Sequence, residues 1–142
     1  MIKTRPSKSK TTSQLIKELD TVFSEFIRVR DADHDGTVIC FVTGEKVFWN
    51  DGCDAAHFCN RQHMSTRWDE MNVHACTSTS NRHDTDHLPV YGHKMILKYG
   101  PEAFHALLDR RRALTKFTAF ELQEKIDHYK EEVRKLRASK KI

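Results

Sequence analysis

Residues 53–87 fit neither a helical nor a strand period, yet they hold His57, His63, His74, His83 and His87 and three of the four cysteines. A stretch that packs poorly as apolar core but gathers groups able to bind metals or move protons is where a site is expected. The periodic segments on either side must then supply the core.

Those flanks are well punctuated. Thr11 and Gln14 have capping-box spacing, and Leu15, Leu19, Val22, Phe26 and Val29 recur on one face, which predicts a helix from Thr11 to about Asp31. Val38–Val42 and Lys46–Trp49, parted by Thr43-Gly44-Glu45, predict a short hairpin after the turn Asp33-His34-Asp35-Gly36. That turn imitates the start of a calcium loop, but Val42 stands where the bidentate Glu is needed, so it reads as a helix-to-strand turn. Gly100 suits a helix end and Pro101 the first turn of the next helix, to about Arg112. Thr118 and Glu121 start a last helix whose Leu122, Ile126, Tyr129, Val133 and Leu136 form a seam, for the first helix or for a second copy of the chain. Trp49 and Trp68 are expected in the core.

A chain of 142 residues with 38% hydrophobic content can bury one modest core, so a single domain over 11–142 is expected, preceded by a disordered basic arm over 1–10. The longest uncharged apolar run, Val38–Val42, is too short to cross a bilayer, and charges occupy the place of a signal peptide's apolar region. An intracellular protein is expected, with Cys40, Cys53, Cys59 and Cys76 as free thiols or metal ligands rather than disulfides. The net charge of +4 permits a polyanionic partner without requiring one.

Phosphodiester cleavage needs a base to activate water, a hard cation to stabilise charge on phosphate and leaving oxygen, and a scaffold that aligns them. The order His57, Asn72, Asn81, with intervals of about 15 and about nine residues, is similar to the HNH pattern of base, orienting Asn and metal-binding residue. In a stretch so rich in His that order alone is weak, and turn, cap and surface roles are the ordinary fate of Asn and His. The wider wording is more specific. Phe26-Ile27-Arg28-x-Arg30-Asp31, Asp54-Ala55-Ala56-His57-Phe58, Thr66-Arg67-Trp68-Asp69-x-x-Asn72-Val73-His74, Asn81 and Leu97-x-Tyr99-Gly100-Pro101-Glu102-Ala103 resemble the NinG/Rap family of lambda-like phages over residues 20–137.

The resemblance implies an α+β fold: a ββα-metal (HNH) core over 37–87, an N-terminal helix over 11–31 and a helical C-terminal part over 88–138. It implies a structure-selective endonuclease that cuts Holliday junctions and other branched DNA during phage recombination in the cytoplasm of the bacterial host. No membrane and no small-molecule substrate would be involved, and paired cuts in a two-fold junction imply a homodimer. His57 would be the base, Asn72 its orienting partner and His74 a further catalytic candidate. Asn81 would bind Mg²⁺ or Mn²⁺ together with Asp54, His83, His74 or His87, the carboxylate suiting those ions and the imidazoles softer ones. Arg61, Arg67, Arg110, Arg111 and Arg112 would hold phosphates, unless they are only solvated surface.

The sequence also departs from the family. Two C-x-x-C knuckles that hold a structural zinc are replaced by Cys40-x-x-Thr43 and Thr77-x-x-Ser80, and hydroxyls are poor zinc ligands, so no zinc of the usual kind is expected there. A relocated site built from the four cysteines would match no standard spacing. Ala56 precedes the base where many HNH enzymes have Asp or His. These losses favour one rival, a branched-DNA-binding protein without activity; a second, a nonspecific or homing-type HNH nuclease, differs only in substrate.

Overall fold

The computed structural model describes residues 9–142. The basic arm expected over 1–10 therefore lies outside the described residues, except for Ser9 and Lys10. Both are exposed, and Lys10 pairs with Glu18 at 2.6 Å.

Helix α1 (Thr12–Asp31) begins with the expected box: Thr11 Oγ1 accepts the Gln14 N–H and the Gln14 side chain accepts the Thr11 N–H. Strands β1 (Thr37–Ile39) and β2 (Lys46–Phe48) form an antiparallel pair with Val38 opposite Val47. This hairpin is shorter than the expected segments. The turn before it is held by Asp33, whose Oδ1 accepts the N–H groups of Asp35 and Thr37, and by Gly36 at φ +85°. A Cβ at Gly36 would lie 2.5 Å from the Phe48 ring, so only glycine fits.

A second antiparallel pair follows, β3 (Cys53–His57) with β4 (Val73–Thr77), in which Ala55 faces Ala75 and His57 faces Val73. β4 runs directly into the short helix α2 (Ser78–His83), whose N-cap is Thr77. Helices α3 (His87–Tyr99) and α4 (Pro101–Arg111) meet at Gly100, φ +88°. The last helix, α5 (Ala119–Lys140), opens with the reciprocal Thr118–Glu121 box. The architecture is thus mixed α+β, with five helices and two small antiparallel sheets among the described residues.

Two apolar clusters hold these elements. In the larger, Leu15, Leu19, Val22, Phe23 and Phe26 of α1 meet Leu122, Ile126, Tyr129 and Val133 of α5, and Trp49, Trp68, Val73 and Ala75 close it. The Tyr129 ring lies 4.9 Å from that of Phe23 and 4.8 Å from that of Phe26. The α5 seam is therefore filled from within the chain, which settles its two readings in favour of helix one. Lys140 Nζ finishes the pairing by donating to the carbonyls of Val29, Arg30 and Ala32, the free acceptors at the end of α1. The smaller cluster, with Cys40, Ala56, Cys76, Tyr91, Met95, Phe104 and Leu107, packs α3 and α4 on the other side of β3 and β4. No described helix is long and apolar enough to cross a membrane.

Since the Thr118 hydroxyl occupies an otherwise unpaired α5 N–H, Thr118→Ala should lower stability by about 1 kcal/mol, read as an earlier urea midpoint with an unchanged m-value.

Candidate active site

The site is built on one strand and one short helix. Alternation along β3 turns Asp54 and His57 to opposite faces of the strand, but its end and α2 are close enough that both residues border one cleft. That cleft, of about 450 Å³, is lined by Asp20 and Ser24 of α1, Asp54, Ala55 and His57 of β3, Asn60 and Arg61 of the following loop, and Asn81 and Arg82 of α2. Four residues singled out from sequence, Asp54, His57, Arg61 and Asn81, thus come together.

His57 is half-buried, and its Nε2 lies 2.8 Å from the Arg67 carbonyl oxygen. A carbonyl can only accept, so Nε2 carries the proton and Nδ1 is left as a bare acceptor. Burial depresses its pKa below the usual histidine value, against the opposing pull of the Arg67 carbonyl and of Asp20. The lowered pKa and the Nε2 hydrogen bond together favour the neutral ring, with its electron pair on Nδ1.

Asn72 does not touch His57. It is fully buried, and its amide staples the loop between β3 and β4: Oδ1 accepts the Cys59 N–H at 2.7 Å while Nδ2 donates to the carbonyls of Cys59 and Thr66, each at 2.9 Å. That loop carries the Arg67 carbonyl. The direct hydrogen bond to His57 expected of an orienting Asn is therefore absent, and the Asn72 amide instead holds the loop.

Asp54 receives four hydrogen bonds from α2. Ser78 Oγ donates to Oδ1 at 2.8 Å, Asn81 Nδ2 to Oδ2 at 2.9 Å, and Arg82 makes a bidentate pair with both oxygens at 2.9 Å. The donors hold its carboxyl below the usual carboxylate range even though burial, the largest single influence, pushes the other way. A carboxylate and an amide within hydrogen-bond distance at an open cleft form a hard oxygen donor pair once the amide presents Oδ1. That donor set fits Mg²⁺ or Mn²⁺, which keep several waters and need few protein ligands. Among the described residues, no three His, Cys, Asp or Glu side chains gather as a metal cluster.

The remaining expected residues lie elsewhere. His74 is buried on the far side of the sheet, stacked on Phe41 at 4.0 Å between ring centroids, with Nδ1 2.9 Å from the Tyr91 hydroxyl and Nε2 2.6 Å from that of Tyr99. Its position is that of a core group, away from the cleft. His83 is exposed at the end of α2 and borders a different hollow with Thr43, Glu45 and Ser80. Arg67 is locked by Asp20, with its Nε 3.1 Å from Oδ1 and its Nη2 2.5 Å from Oδ2, so its carbonyl rather than its guanidinium serves the site. Arg110 pairs with Asp69, and Arg111 and Arg112 border a hollow beside Gln62, His63 and Met64. Sequence reasoning missed Asp20 and Arg82. Arg82 directly follows Asn81, a signal that becomes visible only when α2 is recognised as a helix.

The knuckle positions do meet in space. Cys40 Sγ accepts the N–H groups of Thr43 and Thr77 at 3.4 and 3.3 Å, and a hydrogen bond from the Cys76 thiol holds Cys40 well below the usual thiol range. The substituted hydroxyls have ordinary duties: Thr43 caps the Glu45 N–H, Thr77 caps Ser80, and Ser80 Oγ lies 2.9 Å from His87 Nδ1.

No curated protein and no solved structure matches the chain. One family model does, and its span reaches from before α1 to the last turn of α5, taking in both walls of the cleft. Because the model described as Bacteriophage Lambda NinG protein matches residues 1–139, the chain belongs to the NinG family.

Proposed function

We propose that this protein is a cation-dependent endonuclease that hydrolyses branched DNA during phage recombination, with β3, β4 and α2 acting as a ββα-metal unit. The observation that carries this reading is that His57, its Nε2 held by the Arg67 carbonyl, lines the same cleft as the hydrogen-bonded Asp54–Asn81 pair.

His57 Nδ1 takes a proton from a water, whose oxygen attacks phosphorus in line with the 3′ oxygen of the scissile bond. That bond breaks as the new one forms, giving a 5′-phosphate and, after protonation of the departing oxygen by solvent, a 3′-hydroxyl. The Arg67 carbonyl holds the Nε2 proton, which fixes the ring and favours the imidazolium as it forms. Asp54 and Asn81 would hold the divalent ion, which supplies electrostatic stabilisation of charge on the phosphate and leaving oxygen. Arg61, exposed and only loosely paired with Asp20 at 3.7 Å, grips a neighbouring phosphate. Arg110, Arg111 and Arg112 extend the basic track past the Asn60–Arg67 loop. Phosphate contacts of this kind read the arrangement of strands rather than bases, which suits a junction. A homodimer making paired cuts would meet on a surface other than the α5 seam.

A second reading is favoured by one observation: Arg82 already occupies both Asp54 oxygens, as expected of a protein that binds branched DNA without cutting it. Incubating the protein with a four-way junction and a matching linear duplex, with and without Mg²⁺ or Mn²⁺, separates the cases. We expect junction cleavage that depends on the ion. Binding without cleavage supports the second reading, and equal cleavage of the duplex supports a nonspecific nuclease.

We also propose that the degenerate knuckles hold no zinc, since Thr43, Thr77 and Ser80 offer hydroxyls where thiolates are needed. Native mass spectrometry should give the polypeptide mass without stoichiometric zinc, and a retained zinc would overturn this.

A further inference from the structure

Arg82 is not explained by the chemistry above, and the following inference rests on reading the cleft as a cation site. Ser78, Asn81 and Arg82 sit at spacings of three and four in one short helix, so their donors converge on the single carboxylate of Asp54. The Asp54 side chain is only 14% exposed whereas that of Arg82 is 64% exposed. Leaving Asp54 would therefore cost Arg82 little packing, while Asp54 cannot stay buried without a positive partner. A divalent ion and the guanidinium would compete for the same two oxygens and repel one another at that distance. Asn81 must also turn its amide to offer Oδ1, which breaks another bond of the same set.

We propose that Arg82 is an exchangeable cation. It neutralises Asp54 in the resting protein, vacates the carboxylate when a divalent ion is taken up, and then binds a phosphate of the DNA backbone in the same cleft. Ion uptake and DNA binding are thereby coupled through one side chain, each favouring the other. The site takes up ions more weakly when empty of DNA and most readily when a phosphate is present to receive the guanidinium.

The test counts Mn²⁺ binding to the full chain by the electron paramagnetic resonance signal of the free ion, without DNA. Arg82→Gln should bind Mn²⁺ about five- to tenfold more tightly than the parent, as removal of a competing charge-assisted pair predicts, and Asp54→Asn should abolish that binding. In a His57→Ala background, which slows cutting, Mn²⁺ should tighten binding to a four-way junction when Arg82 is present. It should have no such effect in Arg82→Gln, and Arg82→Lys should restore part of it. Unchanged Mn²⁺ affinity in Arg82→Gln, a Mn²⁺ effect on junction binding that survives the substitution, or no Asp54-dependent Mn²⁺ binding in any variant would each overturn the proposal. Because ion counting does not depend on turnover, a protein that fails to cleave any DNA sinks the nuclease reading alone, whereas cleavage with unaltered Mn²⁺ affinity sinks only the exchange.

Discussion

His57→Ala should slow cleavage of a four-way junction by about two to four orders of magnitude, the usual worth of a positioned general base, while the protein stays folded. The ring makes one hydrogen bond, to a backbone carbonyl at the edge of an open cleft, so its loss leaves one acceptor that water can reach. Single-turnover rates beside melting curves separate chemistry from stability, and a rate loss below about tenfold would remove His57 from the mechanism. The pH profile gives a second reading. The base must be neutral to accept a proton, and burial moves its pKa below the ordinary histidine value. The acid limb of the rate should therefore have its midpoint below about pH 6.5, and the limb should vanish in the residual activity of the variant.

The other large effect concerns His74, which the family resemblance offers as a catalytic group and the fold uses as a beam. The Tyr91 hydroxyl donates to the Ala56 carbonyl at 2.8 Å, so it can only accept from His74 Nδ1–H, and His74 Nε2 must in turn accept from Tyr99 at 2.6 Å. Hydrogen bonds thus run in one sense from Tyr99 through a neutral imidazole to the residue before His57. His74→Ala would open a cavity and strand buried hydroxyls, and should cost about 3–5 kcal/mol, a large part of the total stability of a domain this size. Urea unfolding at pH 7 measures it. An equally stable but inactive variant would return His74 to the chemistry.

Acid should reveal the same residue in the parent protein. Burial, assisted by Arg30, depresses the folded-state pKa of His74 to about 3, well below its value in the unfolded chain. Its contribution to stability is whole above about pH 6.5 and is lost as the pH falls toward 3. The urea midpoint should drop across that window, and should drop less in His74→Phe, which cannot take up the proton.

The helices α1, α4 and α5 were legible because each carries its own punctuation. Thr11 with Gln14 and Thr118 with Glu121 bond within a single turn, and Gly100 followed by Pro101 needs no tertiary partner to end one helix and start another. β3 and β4 were not legible. Four of the five β4 residues are buried, since α1 covers one face and Tyr91 and its neighbours the other, so the alternation that betrays a half-exposed strand is absent. The same reason hid α2: six residues cannot display a helical period. At the site, Asp54, His57, Arg61 and Asn81 were found through chemistry and family wording. The catalytic role expected of His74 and the direct one expected of Asn72 came from family wording and HNH spacing, neither of which fixes the face of a strand. Which face of a strand a side chain leaves by is decided by register, and register depends on partners far along the chain.

The α1–α5 pairing also bears on how the polypeptide matures on the ribosome. Much of the apolar stripe of the first helix finds its cover in residues 119–140, far along the chain. At translation speeds of about 5–20 residues per second, the part of the stripe that faces α5 waits several seconds for its cover. Nascent chains halted before residue 119 should therefore be the species that chaperones capture, while those released after it escape.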